Sequence, residues 1–222
     1  MRFGPITTGI VSNGLIYNVD PSNPVSYLGT GNTANNTINN TNPGTLFNDL
    51  GHLGENSGIW DFDGVTSYLQ LSPNITTSYL TYSIWFKPST SDTIFRSLGQ
   101  TGAWSTTDFA CFFHGSLSQL TLVTKHNNCR LTLSFPGTSS DVWHNATFVV
   151  EPLTQHIYHN GVYLGNKTRT NNTDITINNL AIGNWMGYGY YGGKVASTHI
   201  YNRALSANEV LHNYNALKSR FE

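Results

Sequence analysis

The sequence predicts an all-β fold, a single jelly-roll sandwich closed by one short C-terminal helix. About a dozen short segments alternate apolar and polar residues with period two, as strands with one buried face do. Turn-forming Gly, Asn and Pro residues separate these segments, and helical spacing of apolar residues occurs in one late segment only. Many short strands of this kind favour a jelly roll over a helical or parallel α/β fold.

Composition limits the classes of partner. The chain has 222 residues, of which only 10% are charged, and its formal net charge is −1. This length fits one domain that can fold without a metal or a disulfide. The Lys and Arg residues are scattered, no apolar run reaches the roughly 18 residues of a membrane helix, and the start lacks the apolar core of a signal peptide. We therefore expect neither nucleic acid nor a membrane as a partner.

The first part of the chain is expected to hold an N-terminal arm at 1–9, followed by the sandwich domain at 10–222. Residues 14–19 predict the first strand, which a proline-containing turn at 20–24 ends. Residues 28–57 are rich in Asn, Thr and Gly and predict a long loop, either functional or partly disordered.

The middle of the chain predicts a series of antiparallel strands. Residues 59–64 and 68–71 are interpreted as a strand and its hairpin return, with Asp63-Gly64 as turn residues. The clearest strand is 80–88, whose alternation points four side chains to the core: Leu80, Tyr82, Ile84 and Phe86. Further strands are predicted at 93–98, 109–113, 119–125 and 130–135.

The last part of the chain continues the same pattern. The dipeptide Asn160-Gly161 lies between apolar runs and predicts a hairpin. Strands are predicted at 143–150, 155–159, 162–164, 175–182 and 194–201, with a loop at 183–193. The final strand, which contains Val195 and Ile200, is expected to have one solvated face.

One helix follows the final strand. Ser206-Ala-Asn-Glu209 is a capping box, in which the serine and glutamate side chains bond each other's backbone N–H groups. Helical spacing then predicts one apolar stripe: Val210, Leu211, Tyr214 and Leu217.

Cys111 and Cys129 are the only cysteines. The pattern places them on the first and third strands of a meander, about 9–10 Å apart across the middle strand. A disulfide requires Cα atoms within about 7 Å. We therefore expect free buried thiols, as in a protein that folds in a reducing cytoplasm.

Several motifs resemble a known family. The segment Ile200-Tyr-Asn-Arg-Ala-Leu-Ser206, with a short helix after it, resembles the last strand of laminin-G-like domains of the concanavalin A-like lectin/glucanase superfamily. Phe47-Asn-Asp-Leu-Gly51 and Trp143-His-Asn-Ala resemble two further family elements, and the matches run in the family's order from about residue 10 to 221. The tail Asn213-Tyr-Asn-Ala-Leu-Lys-Ser-Arg-Phe221 is similar to the ending of laminin-G-like structural proteins in tailed-bacteriophage virions.

The resemblance raises the possibility of a glycosidase, which requires two carboxyl groups about 5–9.5 Å apart. Glucanase relatives carry Glu-x-Asp-x-x-Glu on one strand, and this chain has no such motif. Its glutamates are Glu55, Glu151, Glu209 and Glu222, none of which lies in a predicted strand. No catalytic residue is therefore assigned, and we expect no enzymatic activity.

The superfamily often binds calcium through Asp and Asn oxygens. The possible ligands here are Asp49, Asp61, Asp63 and Asn184. However, no Asp-rich loop is present, and Val195-Ala-Ser-Thr198 stands where relatives carry Ile-Asp-Glu-Val. We expect no cofactor and no assigned metal ligand, with calcium as an open alternative.

The loop before the final strand is the most suggestive surface. It carries four aromatic residues and an amide, and a further tryptophan is expected near it: Trp185, Tyr188, Tyr190, Tyr191, Asn184 and Trp104. Flat rings stack against sugar C–H faces, but Tyr and Trp are also enriched in protein interfaces. A protein contact, a glycan site and a core rim therefore all remain open.

The resemblance implies a non-enzymatic structural protein of a phage virion. A capsid decoration protein or other surface-exposed component would fold in the host cytoplasm and dock on other virion proteins. The alternative is a lectin-like adhesion module for host-surface glycans, and a glycosidase comes third.

Overall fold

The structure is a computed structural model, which describes residues 9–39, 41–89, 95–103, 106–125, 129–137, 140–170, 173–184 and 189–222. These residues form a β-sandwich with one α-helix. The strands are β1 (Leu15–Val19), β2 (Thr33–Ala34), β3 (Gly44–Phe47), β4 (Gly51–Leu53), β5 (Ile59–Asp63), β6 (Tyr68–Leu71), β7 (Ile75–Thr77), β8 (Leu80–Pro88), β9 (Phe95–Gln100), β10 (Phe109–His114), β11 (Gln119–Thr124), β12 (Cys129–Ser134), β13 (His144–Val150), β14 (Thr154–His159), β15 (Val162–Thr168), β16 (Ile175–Ile177), β17 (Leu180–Ile182) and β18 (Gly192–Tyr201). The helix α1 spans Ala207–Leu217, and short 3₁₀ turns span Glu55–Ser57 and Lys218–Arg220.

Two eight-stranded sheets face each other. The front sheet has the order β12-β11-β10-β9-β17-β6-β3-β2. The helix-bearing sheet has the order β15-β14-β13-β8-β18-β5-β4, with β1 also paired to β18. Strands β7 and β16 form a separate two-stranded ribbon. This arrangement is the concanavalin A-like jelly roll that the sequence predicts.

The predicted core face of the clearest strand is confirmed. Leu80, Tyr82, Ile84 and Phe86 on β8 are all fully buried. Across the sandwich, the Phe86 ring meets that of Phe113 on β10 at 5.3 Å in an edge-to-face geometry. These contacts join the inner faces of the two sheets into one core.

One predicted hairpin and one predicted strand are wrong because the chain changes sheet. Strand β5 pairs with β18 and β4, whereas β6 pairs with β3 and β17 in the opposite sheet. The turn at Asp63 therefore crosses between sheets instead of closing a hairpin. The predicted strand 175–182 likewise divides into β16, which pairs with β7, and β17, which belongs to the front sheet. Alternation within a segment does not reveal its partner.

The predicted long loop at 28–57 contains regular structure. It holds β2, β3, β4 and one 3₁₀ turn, and β3 pairs with β6. These strands have two to four residues, too few to give a visible alternation among so many Asn, Thr and Gly residues.

The final strand β18 is buried on both faces, contrary to the prediction of one solvated face. Val195 and Ile200 face the sandwich core, while Ala196 and Tyr201 lie in clusters on the other face, under the C-terminal segment. Val195 and Ile200 are five residues apart, a spacing that would place them on opposite faces of a regular strand. A register shift between Val195 and Thr198 turns both toward the same core.

The predicted capping box of α1 is confirmed. Ser206 Oγ accepts from Glu209 N at 3.3 Å, and Glu209 Oε2 accepts from Ser206 N at 2.9 Å. Val210 and Leu217 are buried as predicted, but Leu211 is 43% exposed. Asn213 is buried in its place, and its Nδ2 donates to the Tyr201 hydroxyl at 3.0 Å.

The predicted placement of the cysteines is also confirmed. Cys111 lies on β10 and Cys129 on β12, with β11 between them, and both are buried free thiols. Among the described residues, no helix has the length and apolar character needed to span a bilayer.

Candidate functional site

Two stacked aromatic rings, Phe47 and Tyr68, lie on the outer face of the front sheet, and we call this pair the aromatic shelf. Phe47 on β3 lies opposite Tyr68 on β6, and their rings stack at 4.5 Å with an angle of only 3° between the planes. Their neighbours Leu46 and Leu69 are buried in the core, so alternation directs Phe47 and Tyr68 outward. Both rings are half-buried, which leaves part of each ring open to a ligand.

Polar side chains continue the same outer face. Gln70 is two residues from Tyr68 on β6 and pairs with Thr45 on β3, so the amide and hydroxyl lie beside the rings. The Gln70 amide Nε2 is 3.5 Å from Asn179 Oδ1, and the Ser72 hydroxyl is 3.4 Å from the same oxygen. The shelf therefore combines an apolar surface with hydrogen-bonding groups at its edge.

Tyr190, two residues before β18, lies near this pair. A β-bridge joins Asn184 to Tyr190, and Arg96 Nη1 donates to the Tyr190 carbonyl oxygen at 2.8 Å. Burial, and secondarily the nearby Tyr190 phenol, raises the pKa of the Tyr68 phenol.

Gly183 allows the loop to leave β17 at this point. Its φ is +84°, in the left-handed region, and a Cβ atom there would lie 2.6 Å from the Phe62 ring. Tyr191 packs against the same Phe62 ring, and the centroids of these two rings are 5.6 Å apart. Gly183 and Tyr191 therefore both lie against Phe62 of the core.

The predicted site residues have different outcomes. Tyr190 lies near the aromatic shelf, and a β-bridge joins Asn184 to Tyr190. Tyr191 is only 1% exposed and donates its hydroxyl to the Lys194 carbonyl oxygen at 3.2 Å, so it belongs to the core rim and not to the surface. The remaining predicted residues lie outside the described residues: Trp104, Trp185 and Tyr188.

A shallow cleft of about 830 Å³ adjoins Phe47. It extends from the shelf to the segment before β2, and its polar lining includes Asn32, Thr45 and Asn48. Asn48 and Asp49 both have positive φ, of 55° and 54°, and Asn48 Nδ2 donates to the Thr66 carbonyl oxygen at 2.9 Å. The turn that carries these side chains is thus fixed to the Asp63 turn.

The sequence places Phe47 in a segment that resembles a family element and Tyr68 at the start of a predicted strand, but it predicts neither as a binding residue. The period-2 pattern that directs Leu69 and Leu71 inward could have placed Tyr68 and Gln70 outward. Their pairing with β3 could not be foreseen, because β3 was not recognised as a strand.

Carboxylates are absent from the front-sheet strands. None of the eight strands of this sheet contains Asp or Glu. Elsewhere, Glu209 bonds Arg203 Nη2 at 2.6 Å and Glu55 bonds Lys194 at 2.6 Å. The outer face of this sheet can therefore hold a ligand by stacking and hydrogen bonds. Its strands supply no carboxyl pair for glycoside cleavage, and Asp49 is the one carboxylate among the described residues that line the cleft beside Phe47.

The four possible calcium ligands do not gather into one site. Asp63 is engaged by its own turn: its Oδ1 accepts from the backbone N–H groups of Val65, Thr66 and Ser67 at 2.9–3.0 Å. These hydrogen bonds hold the pKa of the Asp63 carboxyl well below its usual range despite an opposing desolvation effect. Among the described residues, no three His, Cys, Asp or Glu side chains cluster as metal ligands.

Solved structures share this fold. The binding domain of botulinum neurotoxin DC in complex with SialylT superposes with a TM-score of 0.70 at 10% identity, covering 92% of this chain and 52% of that one. The binding domain of Paraclostridial mosquitocidal protein 1 gives a TM-score of 0.68 at 15% identity, covering 91% and 52% of the two chains. This chain thus spans about half the length of these toxin chains.

Domain 4 of AbnA, a GH43 extracellular arabinanase from Geobacillus stearothermophilus, in complex with arabinotriose, gives a TM-score of 0.66 at 18% identity. This superposition covers 90% of this chain and 98% of that one. No curated protein sequence matches the chain.

The sequence of residues 63–211 matches the Laminin_G_3 family, described as the concanavalin A-like lectin/glucanases superfamily. The matched region contains the core strand β8, the final strand β18 and the first five residues of α1. The chain therefore belongs to the Laminin_G_3 family of the concanavalin A-like lectin/glucanase superfamily.

Proposed function

We propose that this protein is a non-enzymatic glycan-binding module whose aromatic shelf stacks against sugar rings. The observation that carries the proposal is the parallel pair Phe47–Tyr68 on the outer face of a sheet whose strands have no carboxylate. The ring faces that the stack leaves uncovered carry partial negative charge, which attracts the polarised C–H groups of a sugar. Gln70, Thr45 and the cleft beside Phe47 supply groups that can bond the sugar hydroxyls.

The structural neighbours support the same class of ligand. The arabinanase domain is described with arabinotriose and a botulinum toxin domain with SialylT, so this fold serves carbohydrate binding in proteins of low sequence identity. The identity is too low to transfer a particular sugar. The proposal therefore depends on the shelf of this chain and uses the neighbours only for the ligand class.

The C-terminal tail, which suggested a virion protein, has an intramolecular role. The rings of Tyr214 and Phe221 stack on Trp85 at 5.4 and 4.3 Å, and Arg220 bonds Asp20. Packing on the helix-bearing sheet is thus sufficient to explain the apolar residues of the tail. Docking on other virion proteins, and location in a virion after folding in a host cytoplasm, stay predictions.

The test is binding of the purified protein to a glycan array, followed by calorimetric titration with the array's best ligand and with arabinotriose. We expect Tyr68→Ala to weaken binding at least about tenfold, because a buried aromatic anchor contributes about 2 kcal/mol or more. Tyr68→Phe keeps the ring and is expected to retain most of the affinity. Tyr163→Ala, at an exposed tyrosine on the edge strand β15, is the matched control.

Two results would overturn the proposal. One is the absence of binding to any glycan on the array by correctly folded protein. The other is equal affinity of wild type and Tyr68→Ala, provided that thermal melting shows the variant to be folded. Cleavage of a polysaccharide by the wild type would separately refute the non-enzymatic assignment.

A further inference from the structure

A second cleft lies at the other end of β6. It has a volume of about 440 Å³ and lies between β1, the segment before β3, the ribbon strand β7 and the residue that follows β18. Its lining comprises Ile16, Tyr17, Asn36, Asn39, Thr41, Asn42, Pro73, Asn74, Ile75, Thr76, Thr77 and Asn202. Pro73 is five residues after Tyr68, a distance of about 16 Å along an extended chain, so this cleft is separate from the aromatic shelf.

The lining of this cleft is polar but uncharged. Five asparagines and three threonines contribute to it, and none of the described residues that line it is Asp, Glu, Lys, Arg or His. A charged ligand would find no counter-charge here to offset the loss of its hydration. Amide groups both donate and accept hydrogen bonds, as the hydroxyls of a neutral sugar require.

The inner wall of the cleft is rigid. Asn36 is only 2% exposed, and its Oδ1 accepts from the backbone N–H groups of Asn18 and Ile38 at 3.0 and 3.1 Å. Its Nδ2 donates to the Ile16 carbonyl oxygen at 3.1 Å and to Asn39 Oδ1 at 2.9 Å. One buried amide therefore fixes both the segment before β3 and the side chain of Asn39.

The orientation of Asn39 follows from these contacts. Its Oδ1 accepts from Asn36 Nδ2 and from the Thr41 backbone N–H at 3.2 Å. Since the oxygen is held in this way, the Nδ2 group of Asn39 must face away from the wall and is available as a donor. A preoriented donor reduces the entropy lost when a ligand binds.

The floor of the cleft is also neutral. Tyr17 is 1% exposed, and its hydroxyl donates to the Asn42 carbonyl oxygen at 2.7 Å. Burial raises the pKa of the Tyr17 phenol to about 12, so the floor carries no charge at physiological pH.

The rim carries amide groups that the fold does not use. Asn42, Asn74 and Asn202 are exposed, and within the described part of the chain their side-chain amides make no hydrogen bond. Asn42 and Asn74 have positive φ, of 53° and 50°, a conformation that Asn tolerates better than most residues. Three unpaired amides therefore surround a rigid, uncharged floor.

We propose that this cleft, lined by Asn39, Asn42, Asn74 and Asn202, is a second carbohydrate site that accepts a neutral sugar unit. It shares its ligand class with the proposed function but uses a different surface and different chemistry, namely amide hydrogen bonding in place of ring stacking. The 440 Å³ volume falls within the range of small-ligand sites.

The experiment follows the side-chain amide signals of asparagine by ¹⁵N NMR while the full chain is titrated with a panel of neutral oligosaccharides, including arabinotriose and cellotriose. A sialylated trisaccharide serves as the charged probe. We expect at least one neutral probe to shift the signals of Asn39, Asn74 and Asn202 in a saturable manner, and the charged probe to shift them less. Failure of every neutral probe to shift these signals at its solubility limit would overturn the proposal.

The variant Asn74→Gly with Asn202→Ala removes two rim amides, and glycine retains the positive φ at position 74. We expect at least about a tenfold loss of affinity at the cleft and unchanged binding at the aromatic shelf. Asn166→Ala, at an exposed amide on β15, is the control. Tyr68→Ala should weaken binding at the aromatic shelf and leave the affinity at the cleft unchanged. A failure of the cleft proposal is therefore distinguishable from a failure of the proposed function. Unchanged affinity in the double variant would refute the amide cleft.

Discussion

The guanidinium of Arg220 bonds both carboxylate oxygens of Asp20, at 2.9 and 2.8 Å, across 200 residues of sequence. The two side chains are only 5% and 3% exposed, so the ion pair is buried. Arg220 also donates to the carbonyl oxygens of Asn56 and Gly58. One side chain thus connects the C-terminal segment to the turns that follow β1 and β4.

Because the ion pair is buried, we expect the removal of one partner to lower the free energy of unfolding strongly. Arg220→Met leaves the Asp20 carboxylate buried without a counter-ion, which typically costs about 3–5 kcal/mol. The free energy of unfolding, measured by urea denaturation, should decrease by this amount. Lys218→Met changes a neighbouring cation on the same 3₁₀ turn and should cost less than about 1 kcal/mol. A loss for Arg220→Met as small as that of the control would contradict the importance of the pair.

We expect a cavity at Phe86 in the sandwich core to lower the free energy of unfolding. The ring is fully buried and contacts Phe113 of the opposite sheet, so Phe86→Ala should lower the free energy of unfolding by about 3–5 kcal/mol. Val65→Ala, at a residue 67% exposed, should change it by less than about 0.5 kcal/mol. Denaturant titrations of the two variants provide the comparison, and a loss below about 1 kcal/mol for Phe86→Ala would show that the β8 register is wrong.

A buried histidine pair predicts loss of stability in acid. His144 Nδ1 lies 2.9 Å from His159 Nε2, and the His159 ring stacks on Phe135 at 4.0 Å. Burial, and secondarily His144, lower the pKa of His159 from 6.5 to about 3. Between these values the unfolded chain binds a proton that the folded chain does not, so stability falls as pH decreases from about 6.5 to about 3.

The expected slope from this group is at most about 1.4 kcal/mol per pH unit. Other groups titrate in the same window, so the measurement compares wild type with His159→Gln in urea titrations at pH 7 and pH 4.5. The variant should lose less stability between the two pH values than the wild type does. His156→Gln, at a partly exposed histidine on the same strand, is the control. Parallel pH profiles for wild type and His159→Gln would refute the assignment.

The two cysteines predict protection from thiol reagents. Burial raises the pKa of the Cys111 thiol well above its usual value and also raises that of Cys129. Neither should react in the native protein, because the thiolate is the reactive form. Both should react after unfolding without a reductant. A cross-linked peptide containing Cys111 and Cys129 would contradict the intervening position of β11.

The sequence by itself determined the features that depend on local order. Period-2 alternation gave β8 with its bounds and its core face, because side chains on a strand alternate between two faces. The capping box at Ser206 and Glu209 identified the start of α1, since both partners lie within one helical turn. The placement of Cys111 and Cys129 on alternate strands followed from the order of the meander.

Only the tertiary structure decided which distant segments meet. The pairing of β6 with β3 stacks Tyr68 on Phe47, and no local pattern encodes that choice of partner. The location of Tyr191 is likewise decided by the tertiary structure. Its aromatic side chain is compatible with a surface or a core, and packing against Phe62 places it in the core. Asn36 and Asn39 lie in a segment without visible periodicity, and their arrangement depends on the backbone of β1. Strand pairing and side-chain amide bonds act over long sequence distances, so they become readable only once the sheets are assembled.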